Sequence, residues 1–122
     1  MNLDLNIRYY RGVDWSSKDL RGVDLFGARL DGARLVDANL EYARLDGAWL
    51  FGARLEGTWL VGARLDGALL ACARLEGARL KGASLAGARL VGAWLEGAHA
   101  NSKTVWPAGF SWRAAGVIMD ED

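Results

Sequence analysis

From Leu20 to Leu95 leucine occupies every fifth position without a miss, and the stretch Gly27–Ala98 is built around it. Two residues before nearly every leucine stands a small residue, almost always alanine, and two residues after it usually stands glycine. The positions on either side of leucine carry Arg, Asp, Glu, Trp, Phe, Val, Lys and Ser in changing order, as an outward surface would. An α-helix would rotate each five-residue step by about 140° and scatter the leucines around its circumference, while a strand would throw successive leucines to opposite faces. The pattern fits a backbone that turns by about a quarter circle every five residues, so that four repeats close one square coil and each coil buries its apolar face on the next. Leucine then fills the inside, alanine takes the smaller space beside it, and glycine stands at the corner, where a type II turn needs positive φ. Asp37, Tyr42 and Cys72 replace glycine at three corners. They are expected to use another turn type, because a side chain makes positive φ costly.

The runs Ala28-Arg29-Leu30-Asp31-Gly32, Ala33-Arg34-Leu35-Val36-Asp37 and Ala38-Asn39-Leu40-Glu41-Tyr42 resemble the pentapeptide-repeat family of bacterial proteins. The match covers roughly residues 13 to 98 in a single register. The resemblance implies an all-β fold, a right-handed quadrilateral β-helix forming a solenoid. It implies less about function, because members share a scaffold and differ in what they bind.

The ends depart from the repeat. The first dozen residues alternate apolar and polar, with Leu3, Leu5, Ile7 and Tyr9 against Asn2, Asp4, Asn6 and Arg8, which is the period of a half-buried strand. Leu5, Tyr10, Trp15 and Leu20 also keep the five-residue spacing, so residues 1–14 read either as a strand or as a degenerate coil. Residues 15–98 read as the repeat body and 99–122 as a cap with a frayed acidic tail. In the cap, Ser111-Trp112-Arg113-Ala114-Ala115-Gly116 predicts one helical turn, with Ser111 as its N-cap and Gly116 as its terminator. Trp106, Phe110, Trp112 and Val117 are the expected lid over the last coil, whose edge would otherwise be unpaired.

A length of 122 residues allows one domain, and 52% hydrophobic with 25% charged residues is the composition of a folded chain. No apolar run reaches the roughly 20 residues needed to span a bilayer. The start Met1-Asn2-Leu3-Asp4-Leu5 has neither the basic nor the apolar region of a signal peptide, so a cytoplasmic location is expected. The single cysteine, Cys72, is compatible with that compartment. Fifteen basic residues balance fifteen acidic ones, which argues against both a nucleic-acid binder and an acidic imitation of DNA. Nucleophile, phosphate-loop and zinc motifs are absent, and His99 is the only histidine. No catalytic residue, metal or cofactor is therefore expected.

Four repeats to a coil stack residues that lie twenty apart. Arg34, Arg54 and Arg74 then form one column beside Val36, Glu56, Glu76 and Glu96, the pattern of a solvated face. Trp49 and Leu69 stand between Arg29 and Arg89, beside Phe51, Ala71 and Val91, and make an apolar patch facing water. Trp59 and Val61 make a smaller one, flanked by Arg79, Lys81 and His99. The expected function is a non-catalytic scaffold that binds an unidentified protein on the Trp49–Phe51–Leu69–Ala71–Val91 patch. A homodimer formed through residues 99–118, with Trp106, Phe110, Trp112 and Val117 at its contact, is expected beside it. The alternative comes from the resemblance: some members imitate DNA, bind type II topoisomerases such as gyrase and protect them from quinolones. Those members are strongly acidic, and this chain is not. A consensus-like designed repeat is a third reading, against which Asp37, Thr58 and Cys72 stand as irregularities.

Overall fold

A computed structural model of the chain describes residues 8–122. Each three-residue unit of small residue, bridged residue and leucine is extended with its middle turned outward, and from Ala28 to Leu85 both of its ends are buried. Every such unit is followed by a tight turn closed by the leucine carbonyl, which accepts from the small residue three positions on, as in Ala33 N to Leu30 O at 2.9 Å. The middle residues pair in parallel with those twenty positions away. Four ladders of single bridges result, represented by Arg29–Trp49–Leu69–Arg89, Arg34–Arg54–Arg74–Trp94, Asn39–Trp59–Arg79–His99 and Asp24–Arg44–Arg64–Ser84. Main-chain bonds of 2.6–3.2 Å tie each twenty-residue tier to the next, for instance Leu50 N to Leu69 O at 2.8 Å and Trp49 N to Ala28 O at 2.8 Å.

Where the middle residue is Asp14, Asp19, Asp24 or Asn39, its side-chain oxygen accepts from the main-chain N–H two residues on, a donor that no other tier reaches. Leu30 through Leu85 and the small residues beside them are fully shielded from water, so the sequence period specifies the core directly. Thr58 sits in an alanine slot and is buried without penalty, because its hydroxyl donates to Leu35 O at 2.9 Å.

The structure corrects the expected fold class. Regular strand is confined to β1 (His99–Ala100) and β2 (Ile118–Met119), which pair in parallel, and no helix occurs among the described residues. A closed, curled right-handed quadrilateral β-helix or solenoid is therefore not what the backbone forms, and neither is the helical cap. The reason lies in the period. A turn interrupts the chain after every bridged residue, so pairing stays one residue wide and never extends into a continuous sheet. In the tail, Ser111 Oγ does accept from Ala114 N at 3.2 Å, as an N-cap would. Only one i to i−4 bond follows, Ala115 N to Ser111 O, before Gly116 at φ 81° stops the turn. A single such bond is too little to offset helix nucleation.

The corner expectation is also corrected. Asp37, Tyr42 and Cys72 have φ of 58°, 60° and 60°, close to the 65° of Gly27 and Gly47. Their N–H groups donate to the next tier at 2.9–3.0 Å like those of the glycines, so the stacking of tiers fixes the turn and the side chain carries the strain.

Leu3, Leu5 and Ile7 lie outside the described residues. From Tyr9 onward the chain is already in the twenty-residue register, with bridges Tyr9–Arg29 and Asp14–Arg34. At the other end one residue is inserted, since Ser84 pairs with Val105. Buried Asn101 and Thr104 repair the gap: Asn101 Oδ1 accepts from Gly82 N at 3.1 Å, and Thr104 Oγ1 donates to Leu80 O at 2.8 Å.

Candidate interaction face

The first ladder brings Trp49 and Leu69 one above the other, and the residues two positions on bring Phe51, Ala71 and Val91 beside them. Trp49 is 41% exposed, Phe51 56% and Val91 79%, while Leu69 and Ala71 are half-buried between them. Large apolar groups are left in water here because both outward positions of a repeat face away from the core, and nothing in the tier can fold over them.

The lower rim is polar and fixed. The Arg29 guanidinium lies 3.9 Å from the centre of the Trp49 ring and within 3.4 Å of Asp31, which also meets Arg11 at 3.8 Å. The upper rim is a shallow cleft of about 460 Å³, lined by Ala88–Val91 on one side and Pro107–Phe110 on the other. Through this cleft the side patch is continuous with the C-terminal segment, a junction that the repeat spacing did not reveal.

Of the four residues expected as a lid, Trp106, Phe110 and Trp112 are partly buried against the core and Val117 is part of it. Trp106 stacks on Phe110 with ring centres 5.2 Å apart, Trp112 packs against the core under the Arg113 guanidinium, and Val117 is buried. Beyond them the chain pairs with the stack: Ile118 N donates to Ala98 O and Asp120 N to Ala100 O, both at 2.8 Å. The missed signal was the apolar run Val117-Ile118-Met119 after Gly116, which returns the chain to the stack.

The second ladder carries an ion-pair network. Arg54 meets Glu56 at 2.7 Å, and Arg74 meets Glu76 at 3.0 Å and Glu56 at 3.9 Å. Burial pushes the Glu56 carboxyl up, but hydrogen bonds from Arg54 and the backbone, with the charges of Arg54 and Arg74, hold it below its ordinary value. Arg54 and Arg74 are raised, first by their hydrogen bonds to Glu56 and Glu76. Such exposed pairs are screened by solvent and make a solvated face. Among the described residues no group of three or more His, Cys, Asp or Glu side chains can hold a metal ion, and no helix is long and apolar enough to cross a membrane.

Comparison with known proteins gives a consistent result. The family described as pentapeptide repeats matches residues 19–57, 50–85 and 63–99, in eight copies. A solved pentapeptide-repeat protein from Nostoc PCC 7120 is 35% identical over 94% of this chain and 87% of its own, with a TM-score of 0.53. Rfr23, from the cyanobacterium Cyanothece 51142, is 29% identical over 81% of this chain and 88% of its own, with a TM-score of 0.53. A pentapeptide-repeat protein of the Arabidopsis thaliana thylakoid lumen is 32% identical over 74% of this chain and 66% of its own, with a TM-score of 0.59. No curated protein matches.

Proposed function

Because the chain belongs to the pentapeptide-repeat family, a family of non-catalytic, protein-binding repeats, we propose that it is a rigid scaffold whose partner docks on the Trp49–Phe51–Leu69–Ala71–Val91 face. The carrying observation is the exposure of Trp49, Phe51 and Val91 in adjacent columns, on a backbone that cannot rearrange to hide them without breaking the bonds between tiers. Trp49 and Phe51 are also the residue types that serve as anchors in interfaces. A photoreactive phenylalanine analogue at Ala71, in the middle of the patch, is expected to crosslink one partner in extracts of the source cells. The same analogue at Ala86, on another face, is expected to give none. Loss of the Ala71 adduct in a Phe51→Glu background supports the reading, and equal labelling from both positions refutes it. The scaffold works in the cytoplasm on this reading, which the free, exposed Cys72 thiol supports.

A homodimer through residues 99–118 is the second reading. It is favoured by exposed Ile118 in the segment that carries Trp106, Phe110, Trp112 and Val117, and by the unpaired outer edge of β2. Light scattering tests it: a monomer at high concentration removes the dimer. Imitation of DNA for a topoisomerase is disfavoured, because fifteen acidic side chains are matched by fifteen basic ones and Arg34, Arg54 and Arg74 stand on one ladder.

A further inference from the structure

The third ladder ends in a cleft of about 420 Å³ that the Trp49 face does not share. Its floor is Trp59, on whose ring the Arg79 guanidinium lies 4.1 Å from the centre, with Val61 alongside. Lys81 and His99 line the wall above, and the tail delivers one carboxylate to them: Asp120 Oδ2 lies 2.8 Å from His99 Nδ1 and 3.6 Å from Lys81 Nζ. Asp120 arrives there because β2 lies parallel to β1 and the chain runs on through the bond from Asp120 N to Ala100 O.

The hydrogen-bonding capacity of this cleft is unbalanced. Asp120 is the only acid among its lining residues, and it is engaged by His99 and Lys81. Arg79, held flat by the indole, has no ion pair or side-chain hydrogen bond among the described residues. An arginine fork stacked on a tryptophan is preorganised for a planar carboxylate, and its neighbours Trp59 and Val61 offer apolar area next to the charge. The tail already demonstrates the chemistry, since an extended segment brings a carboxylate to this cluster.

We infer that the Trp59–Arg79–Lys81 cleft is a docking site for an acidic peptide segment of a protein partner, with a glutamate or aspartate carboxylate on Arg79 and Lys81 and an adjoining apolar side chain on Trp59 and Val61. Asp120 engages His99 and Lys81 and leaves Arg79 without an ion pair among the described residues. The site goes beyond the Trp49 face and stands whether or not that face binds anything.

Fluorescence anisotropy with a labelled peptide, Gly-Phe-Glu-Val-Glu-Gly, and its glutamine counterpart tests the inference on the full chain. The wild-type protein is expected to bind the glutamate peptide and to bind the glutamine peptide at least about tenfold more weakly. Arg79→Ala and Lys81→Gln are expected to weaken the glutamate peptide by a similar factor, with unchanged melting. Arg34→Ala, an exposed cation on a different ladder, is expected to leave binding unchanged. Equal binding of the two peptides overturns the inference, as does an equal loss in Arg34→Ala, which marks general charge attraction. Inorganic phosphate that perturbs the Trp59 and His99 resonances, in a protein that ignores the glutamate peptide, overturns it in favour of a small oxyanion. Phe51→Glu is expected to bind the peptide like wild type, which separates failure at the Trp49 face from failure here.

Discussion

The corner at Gly62 supplies a quantitative test of how tiers constrain one another. Tyr42 stands twenty residues earlier at a corner with φ 60°, and in that conformation its ring leans over the corner above it. A Cβ added at Gly62 would lie 2.5 Å from Tyr42 Cε1 and 2.6 Å from Cδ1, so the ring must swing away. Gly32 is the natural control: it has nearly the same φ, 66° against 67°, but the residue beneath it is Gly12 and a Cβ there meets nothing within 4 Å. Alanine at Gly32 therefore costs only the left-handed backbone, about 1 kcal/mol. Alanine at Gly62 costs the same plus displacement of Tyr42. That side chain is 67% exposed, so its buried third, at about 25 cal/mol per Å², is worth about 1 to 2 kcal/mol. The Gly62→Ala variant is expected to lose about 2 to 3 kcal/mol against about 1 for Gly32→Ala. The entropy that alanine removes from the unfolded chain is common to both and cancels in the comparison. Urea unfolding followed by circular dichroism measures both. In a Tyr42→Gly background the excess at position 62 is expected to disappear, a coupling that a double-mutant cycle isolates. Equal losses at the two corners, or an excess that survives Tyr42→Gly, refute the steric account.

Leu60 is fully buried in the middle of the stack, and Leu60→Ala is expected to cost about 3 to 5 kcal/mol in urea unfolding, while the half-buried Leu90 is expected to cost clearly less; equal costs contradict a core held from both sides. Asp120 is held below its ordinary 3.8, first by its hydrogen bond with His99, so its contribution to docking the tail is complete above that value and is lost as pH falls through the lowered folded pKa. Amide exchange at Ile118 and Asp120 is expected to quicken in that acid range before the repeat body unfolds, and Asp120→Asn is expected to show the fast exchange already at neutral pH; identical profiles for the two proteins refute the coupling. A supercoiling assay with gyrase and a quinolone is expected to show no protection, and protection at stoichiometric protein would restore the DNA-imitation reading.

The core was legible because a five-residue period admits so few backbones: leucine and the residue two before it are buried from Ala28 to Leu85 with the regularity of the letters themselves. The twenty-residue pairing followed from the same count, as Arg34–Arg54 and Trp49–Leu69 show. The failures came where a residue's local preference disagreed with the stack. Tyr42 and Cys72 prefer negative φ, yet the N–H of each must meet the carbonyl one tier on, and that bond is supplied only by the turn their glycine neighbours use. Ser111 and Gly116 carry the signals of a helix, but too few residues lie between them to propagate one. The Asp120 contact was illegible for another reason. The inserted residue between Ser84 and Val105 breaks the count, and the tail re-enters the stack nineteen residues after His99, an offset that no repeat in the body announces.

The same separation explains how one chain can present unlike surfaces. The buried leucine and alanine positions and the corner bonds are indifferent to the two outward positions of each repeat, so Trp49, Arg54 and Arg79 sit at equivalent places on three ladders without altering the backbone. Ladder position, not local structure, decides which outward residues meet. Residues twenty apart share a face, residues two apart flank a leucine, and Arg79 reaches Trp59 because the count places them together. A partner that reads the Trp49 face therefore gains nothing from the Trp59 cleft unless it spans both. Substitutions on one face are expected to leave the other's binding unchanged, because the Trp49 face and the Trp59 cleft lie on different ladders and share no lining residue.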